Sequence, residues 1–231
     1  MNIVLLLAGG IGSRFGAAVP KQFVEVAGRP VIMYTLARLE AVPVVDRVVV
    51  ACIEGWETRL SEWLAAAGLT KVSDIVPGGG TRYESTRHGM ESLGAADDDV
   101  IVVHDAVRPL VSDESLASVV EVARRYGNSM AVLECTDTMY ERTAAEYTSR
   151  VVERERLVRG LTPEAVTERR MREMYARADE RGVQLDSISA LQNALGWDIH
   201  FAKGDRINIK LTRPEDLALF TVLRHIYWPE D

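Results

Sequence analysis

The chain has 231 residues, of which 47% are hydrophobic and 26% are charged, and its formal net charge is −7. This composition is typical of a globular protein and excludes a disordered chain or a disulfide scaffold. The negative net charge argues against a general nucleic-acid-binding protein, because counterion release requires a basic surface. The length suffices for one substantial core, so we expect a single domain over residues 1–231.

Apolar and amphipathic segments alternate from the N-terminus onward. Continuous β-branched runs at residues 2–8, 47–53 and 99–105 predict buried parallel strands, and apolar residues at helical spacing predict helices at 30–42 and 56–68. This order is typical of an α/β fold with a mostly parallel sheet and helices on both faces, in which ligands bind beyond the carboxyl ends of the strands. The first run is too short to span a bilayer and has no basic leader, so we expect a cytoplasmic protein.

The alternation continues with a predicted helix at 115–127 and a strand at 129–135, and then it breaks. Residues 136–152 hold two short β-prone pieces around a polar turn, which predicts a hairpin arm outside the main sheet. Because an isolated hairpin is marginal in water, we expect the arm to pack on something, such as a second subunit. The remaining predicted elements are a helix near Glu164–Arg181, a turn at Gly204–Asp205 and a last helix that starts at Arg213–Pro214.

A glycine-rich segment at residues 7–16 follows the first strand and leads to Pro20-Lys21-Gln22. Glycines let backbone N–H groups approach phosphate oxygens, and Arg14 and Lys21 add positive charge. Phe15 stands where a dinucleotide-binding fingerprint needs a small residue, and the Gly-Lys-Ser/Thr of a Walker A loop is absent. The segment therefore predicts a phosphate-binding loop of another kind, with a purely structural turn as the alternative.

Three later segments carry polar groups at places where such folds bind ligands. Residues 78–85 join a strand to a helix N-terminus through three glycines, which suits polar or anionic atoms, although a flexible connection is the alternative. Asp105 and Arg108 end a central strand and could hold a divalent cation and a phosphate, or form a local ion pair. His104 is interpreted as a structural hydrogen-bonding residue. Lys210 interrupts an apolar alternation and alone would mean little.

Taken in order, these motifs resemble the cytidylyltransferases that act on 2-C-methyl-D-erythritol 4-phosphate or ribitol 5-phosphate. The resemblance runs over nearly the whole chain through LAGGIGSRFG, PKQF, GGGTRYES, HDAVRP, DTMYE, LTPEA and NIKLTRPEDL. It implies a Rossmann-like nucleotidyltransferase fold and transfer of CMP from CTP to a polyol phosphate with release of pyrophosphate. It also implies Mg²⁺ as cofactor and a homodimer built through the arm.

The resemblance further implies a role for individual residues. The catalytic cations would be Arg14, Lys21 and Lys210. The nucleotide would be held by Ala8, Gly9, Gly10, Gly79, Arg82 and Ser85. The acceptor would be held by Asp105, Arg108, Thr138, Arg154 and Thr162, with Asp105 also a ligand of the metal. Thr138 and Arg154 would reach the acceptor phosphate in the site of the neighbouring subunit.

The chain departs from the methylerythritol enzymes at three places. It has LAGG in place of a Pro-Ala-Ala-Gly form, LTPEA in place of Thr-Pro-Gln, and Leu185-Asp186 in place of a Thr-Asp pair. The CTP half stays intact, the acceptor is left open, and LAGGIGSR and PKQF are closer to the ribitol phosphate branch. The alternatives are a nucleotidyltransferase for another sugar phosphate and a non-catalytic nucleotide-binding protein on the same scaffold.

Overall fold

The computed structural model describes residues 1–10 and 19–229. Its helices are α1 (Val31–Ala41), α2 (Glu57–Ala67), α3 (Arg82–Ser92), α4 (Asp113–Tyr126), α5 (Glu168–Arg181), α6 (Ile188–Ala194) and α7 (Pro214–Leu223). Its strands are β1 (Asn2–Ala8), β2 (Glu25–Val26), β3 (Arg29–Pro30), β4 (Arg47–Cys52), β5 (Val72–Pro77), β6 (Val100–Asp105), β7 (Asn128–Glu134), β8 (Met139–Glu141), β9 (Arg150–Val152), β10 (Val158–Thr167) and β11 (Phe201–Lys203). No helix in these two ranges is long and apolar enough to cross a membrane.

Seven strands form the central sheet in the order β11-β7-β10-β6-β1-β4-β5. β10 runs antiparallel to both of its neighbours, and every other pairing in this sheet is parallel. The predicted α/β fold with a mostly parallel sheet is therefore confirmed. Its β1 strand pairs with β4 on one side and with β6 on the other, so the ends of these three strands reach one edge together.

Alternate residues of β1 point into two separate layers of core. Val4 and Leu6 pack in a cluster with side chains of α1, α2 and α4, whereas Ile3 and Leu5 pack with side chains of α3, α5 and α6. All four side chains are fully buried. Because a strand with helices on both faces has no solvent side, its sequence is a continuous apolar run rather than an alternation.

The predicted helix near Glu164–Arg181 is wrong at its start. Residues 164–167 belong to β10, and α5 begins only at Glu168. The local pattern is overridden by tertiary pairing, because Glu164 to Thr167 bond with β6 on one side while Glu164 to Val166 bond with β7 on the other. The chain turns at residues 206–207, just after the predicted turn, and α7 begins at Pro214 as predicted.

The arm at residues 136–152 forms a hairpin apart from the central sheet. β8 and β9 pair antiparallel and make a two-stranded sheet of their own, as the sequence predicts. Tyr140, Tyr147 and Val151 are more than half exposed on it. A two-stranded sheet with exposed apolar residues gains little stability from its own packing.

Candidate active site

A cleft of about 510 Å³ opens at the carboxyl edge of β1, β5 and β6. Parallel α/β sheets bind ligands at this edge, because the loops that follow the strands converge there. The cleft brings together nine of the residues singled out from the sequence, namely Ala8, Gly9, Gly10, Lys21, Gly79, Arg82, Ser85, Asp105 and Lys210. Arg14, the remaining predicted catalytic cation, lies outside the described residues.

One wall of the cleft is the turn between β5 and α3. The N–H of Gly79 donates to Ser85 Oγ at 2.9 Å, and that hydroxyl donates to the carbonyl of Thr81 at 2.9 Å. Thr81 and Glu84 form a reciprocal capping box that fixes the first turn of α3. A Cβ on Gly79 would lie 2.2 Å from the Cβ of Glu84, so only glycine fits. Ser85 therefore holds the turn in shape at the positive end of the α3 dipole.

The loop after β1 also lines the cleft, and Gln22 holds it in place. Its side-chain Nε2 donates to the carbonyl of Ala8 at 2.6 Å and to that of Gly10 at 3.1 Å, and Gln22 is buried. Sequence reasoning quoted Gln22 within PKQF without giving it a role. Gln22 directly follows Lys21 in the same short 3-10 helix. The predicted role of Lys21 was therefore the signal in the sequence that could have pointed to Gln22.

A cluster of three cations surrounds Asp105 at the end of β6. Its Oδ2 lies 2.9 Å from Lys210 Nζ and 3.2 Å from Arg108 Nε, and its Oδ1 lies 3.4 Å from Arg82 Nη2. Burial acts to raise the pKa of Asp105, but the three positive charges outweigh it and hold the pKa well below its usual range. The carboxylate stays ionised and anchors the cations at this end of the cleft.

His104 has the structural role predicted for it. It is fully buried, and its Nε2 makes a hydrogen bond of 3.1 Å with the carbonyl oxygen of Arg108. Burial lowers the pKa of His104 to about 4, so the ring is neutral at physiological pH.

Lys210 reaches Asp105 from a segment without regular secondary structure. The next residue, Leu211, donates its N–H to the carbonyl of Val107 at 2.9 Å. The side chain of Leu211 is buried in a third apolar cluster that includes Tyr34 and Phe220. Tertiary packing therefore sets the position of Lys210, and no local pattern could have placed it.

Four residues predicted to hold the acceptor do not line the cleft. Arg108 is buried behind Asp105 and donates from Nη1 to the carbonyl of Asn208 at 2.8 Å. Thr162 is also buried, and its carbonyl accepts from Asn208 Nδ2. Thr138 and Arg154 lie exposed at the arm, where Arg154 Nη1 donates to the carbonyl of Thr136 at 2.8 Å.

The described residues hold no group of three or more histidine, cysteine or acidic side chains that could bind a metal ion. Asp105 lines the cleft, but each of its oxygens already faces at least one cation. A metal here would need most of its ligands from a bound substrate. The predicted metal role of Asp105 remains a prediction.

Comparisons with known proteins agree with this geometry. The chain matches the sequence model of the family described as "IspD: 2-C-methyl-D-erythritol 4-phosphate cytidylyltransferase" over residues 2–224. It is 33% identical over 225 residues to a ribitol-5-phosphate cytidylyltransferase of Lacticaseibacillus paracasei, covering 95% of this chain and 96% of that protein. It is 38% identical over 226 residues to a 2-C-methyl-D-erythritol 4-phosphate cytidylyltransferase of Chromohalobacter salexigens, covering 95% and 88%.

The fold is matched as well. The crystal structure of the 2-C-methyl-D-erythritol 4-phosphate cytidylyltransferase of Thermus thermophilus superimposes with a TM-score of 0.78 at 30% identity, covering 96% of this chain and 98% of that one. The resemblance noted in the sequence motifs and the Rossmann-like nucleotidyltransferase fold are both confirmed. On these grounds the chain belongs to the 2-C-methyl-D-erythritol 4-phosphate cytidylyltransferase family of nucleotidyltransferases.

Proposed function

We propose that this cytidylyltransferase transfers CMP from CTP to ribitol 5-phosphate, with 2-C-methyl-D-erythritol 4-phosphate as the second candidate acceptor. The observation that carries the reaction type is the cation cluster around Asp105 at one end of a glycine-lined cleft. The order of the two acceptors rests on LAGGIGSR and PKQF, which are closer to the ribitol phosphate branch. Relatives named for each acceptor match this chain at more than 30% identity.

The reaction is an in-line displacement. An oxygen of the acceptor phosphate attacks the α-phosphorus of CTP, a new P–O–P linkage forms, and the bond to the bridging oxygen breaks so that pyrophosphate leaves. Both reactants are anions, so positioning and charge neutralisation supply most of the catalysis. Lys21 and Lys210 line the cleft and carry the positive charge for this. A phosphate nucleophile is already ionised near neutral pH, and therefore no general base is needed.

The glycine loops provide the nucleotide end of the cleft. Gly9 leaves no room for a side chain, because a Cβ there would lie 2.8 Å from Ser85 Oγ. The backbone at Gly9 and Gly79 is closely packed, Gly10 lines the cleft beside them, and we propose that these loops hold the pyrimidine. Arg82 is the first residue of α3, next to the glycine loops, but its guanidinium reaches Asp105. We therefore assign Arg82 to the binding of both substrates.

The cleft side chains fit Mg²⁺ only if nucleotide phosphates supply most of its ligands, which is usual for this ion. Asp105 is the residue that would share in holding it. When bound, Mg²⁺ supplies charge neutralisation on the triphosphate. The protein side chains orient the acceptor and hold the nucleotide in line.

We also propose that the chain acts as a homodimer whose arms pack together. The exposed Tyr140 and Val151 would be buried in such an interface. Thr138 and Arg154 lie outside the cleft of their own chain, which fits a role in the partner's site, at the acceptor phosphate. Arg108 and Thr162 would support the acceptor end from behind Asp105. The rest of the chain would form a single domain.

The acceptor assignment is tested by release of pyrophosphate from CTP with ribitol 5-phosphate, 2-C-methyl-D-erythritol 4-phosphate and glycerol 3-phosphate in parallel. Ribitol 5-phosphate should give the highest kcat/KM, and ATP or GTP in place of CTP should give little product. A higher kcat/KM with methylerythritol phosphate would reverse the order of the two candidates. No turnover with any acceptor would favour the non-catalytic alternative.

The shared site is tested by co-expression of an inactive Lys21→Ala chain with an inactive Arg154→Ala chain. One site of each heterodimer would then be intact, so some activity should return. Arg156→Ala is the matched control, because Arg156 is an exposed arginine of the same turn. If isolated heterodimers are as inactive as both parents, each site is built from one chain.

A further inference from the structure

Glu164 is a buried carboxylate that the reaction described so far does not use. It is only 4% exposed, and its Oε1 accepts hydrogen bonds from Ser187 Oγ at 2.7 Å and Ser189 Oγ at 2.5 Å. Its Oε2 is buried, and none of the described residues offers it a hydrogen bond. A carboxyl oxygen left without a hydrogen-bond partner in the interior is costly, so the position of Oε2 requires an explanation.

The cation facing this oxygen is Arg82. Its Nη2 lies 4.0 Å from Glu164 Oε2 and 3.4 Å from Asp105 Oδ1, and its Nη1 donates to the carbonyl of Asp186. Register places the two carboxylates together, because Glu164 stands opposite Val103 on β6 and Asp105 is two residues further along that strand. Arg82 and Asp105 line the cleft, whereas Glu164 does not, so Glu164 can act on a substrate only through Arg82.

We propose that Glu164 is a positioning residue for the polyol phosphate, acting by holding the Arg82 guanidinium between two buried carboxylates. A guanidinium has five N–H donors in a fixed fork, so clamping one edge leaves the other donors aimed in one direction. Without the Glu164 carboxylate, Asp105 would be the one acidic side chain among the described residues that pairs with Arg82, and the guanidinium could rotate toward the more highly charged triphosphate. This inference rests on the proposed acceptor chemistry and adds a residue to it.

A purely structural role for Glu164 uses only one of its oxygens. Ser187 caps α6, since its Oγ accepts from the N–H of Ala190 at 3.2 Å, and Glu164 Oε1 bonds to that hydroxyl. The amide oxygen of a glutamine could serve Ser187 and Ser189 equally well. The amide nitrogen, however, would place a donor against Arg82. Glu164→Gln therefore keeps the structural contact and removes the positioning one.

The experiment measures single-turnover and steady-state kinetics of Glu164→Gln with each substrate varied in turn. We expect kcat/KM for the acceptor to fall about tenfold, within the range of coupling seen between contacting groups, while KM for CTP stays within about twofold. In an Arg82→Ala background the same change should alter the single-turnover rate less than about twofold. Glu168→Gln is the control, because Glu168 is equally buried and paired with Arg172 but lies away from the cleft.

A stability measurement tests the pairing without reference to activity. Glu164→Gln should lower the thermal midpoint of the otherwise wild-type protein. In an Arg82→Ala background, Glu164 and Asp105 repel each other without the guanidinium between them, so the same substitution should lower the thermal midpoint less, or raise it. Equal effects in both backgrounds, an unchanged kcat/KM for the acceptor, or equal losses for both substrates would each overturn the positioning role. A wild-type protein inactive with every acceptor would instead overturn the proposed acceptor chemistry together with this role.

Discussion

Replacing Lys210 by methionine tests whether the cation cluster serves catalysis or stability. Lys210 Nζ lies 2.9 Å from Asp105 Oδ2 at the rim of the cleft, and its side chain is 37% exposed. Methionine keeps most of the aliphatic length but removes the charge. Arg108 and Arg82 remain beside Asp105, so the buried carboxylate would keep two of its three cations. The pKa of Asp105 should rise toward its usual range.

The two effects differ in size. An exposed ion pair contributes about 0–1 kcal/mol to folding, whereas breaking a fully buried pair costs about 3–5 kcal/mol. Lys210 is partly exposed and the buried Asp105 keeps two other cations, so we expect a stability effect nearer the lower range. Removing one group that stabilises developing charge in a transition state costs about 2.7–4 kcal/mol, which is about 10²–10³ in kcat. If Lys210 acts on the phosphates, Lys210→Met should therefore lower kcat by about two orders of magnitude while the thermal midpoint falls by only a few degrees.

The assay is pyrophosphate release at saturating CTP and acceptor, alongside a thermal melt of each variant. Lys203→Met is the matched control, because Lys203 also pairs with a carboxylate, Glu114, but does so away from the cleft with both side chains mostly exposed. Lys210→Arg should recover part of kcat by restoring the charge. A kcat of Lys210→Met within about threefold of wild type would place Lys210 outside the catalytic machinery, and a matching loss in Lys203→Met would point to a nonspecific charge effect.

Two further predictions concern the framework of the site. Gly79→Ala should destabilise the protein by about 1–3 kcal/mol and weaken CTP binding, because its Cβ would overlap that of Glu84; a melt and a CTP titration unchanged from wild type would contradict the packing described. Burial lowers the pKa of His104 from 6.5 to about 4. Between these two pH values the unfolded chain binds a proton that the folded chain does not, so the free energy of unfolding is unaffected above pH 6.5 and falls by about 3 kcal/mol as the pH is lowered to 4. The free energy of unfolding of His104→Gln, measured by urea titration, should then depend less on pH between 6.5 and 4, and an unchanged slope would refute this interpretation.

The fold was predictable from sequence where a local pattern and the tertiary role of a segment agree. The β1 run is apolar at every position from Ile3 to Ala8 because both of its faces are covered, and α7 begins where Pro214 fits the first turn. The start of α5 was not predictable in the same way. Residues 164–167 have no strand signature of their own, and they are extended because β6 and β7 offer them hydrogen bonds on both sides.

The residues of the candidate site also divide into those marked by a local pattern and those placed by long-range contacts. Gly79 stands out in sequence because the nearby first turn of α3 leaves room only for glycine, which is a local requirement. Gly9 is restricted by Ser85 Oγ, which is a long-range contact. The role of Gln22 depends on a loop that lies 12 residues upstream, at Gly10, and Lys210 is placed by the packing of Leu211. Long-range contacts of this kind leave no periodicity or spacing to read, although a short motif can mark the residues involved.

Two of the departures from the methylerythritol enzymes lie close together in the folded chain. The glutamate of LTPEA and the residue Asp186 are 22 positions apart in the chain, yet Glu164 Oε2 and the carbonyl of Asp186 both face Arg82. The loops that would hold the nucleotide keep their own closed network through Ser85 and Gln22. Whereas the LAGG departure lies in a nucleotide loop, two of the three departures, in LTPEA and at Leu185-Asp186, thus lie around one guanidinium at the Asp105 end of the cleft. A family that keeps CTP and changes its acceptor would be expected to vary there, because altering that end leaves the nucleotide loops undisturbed.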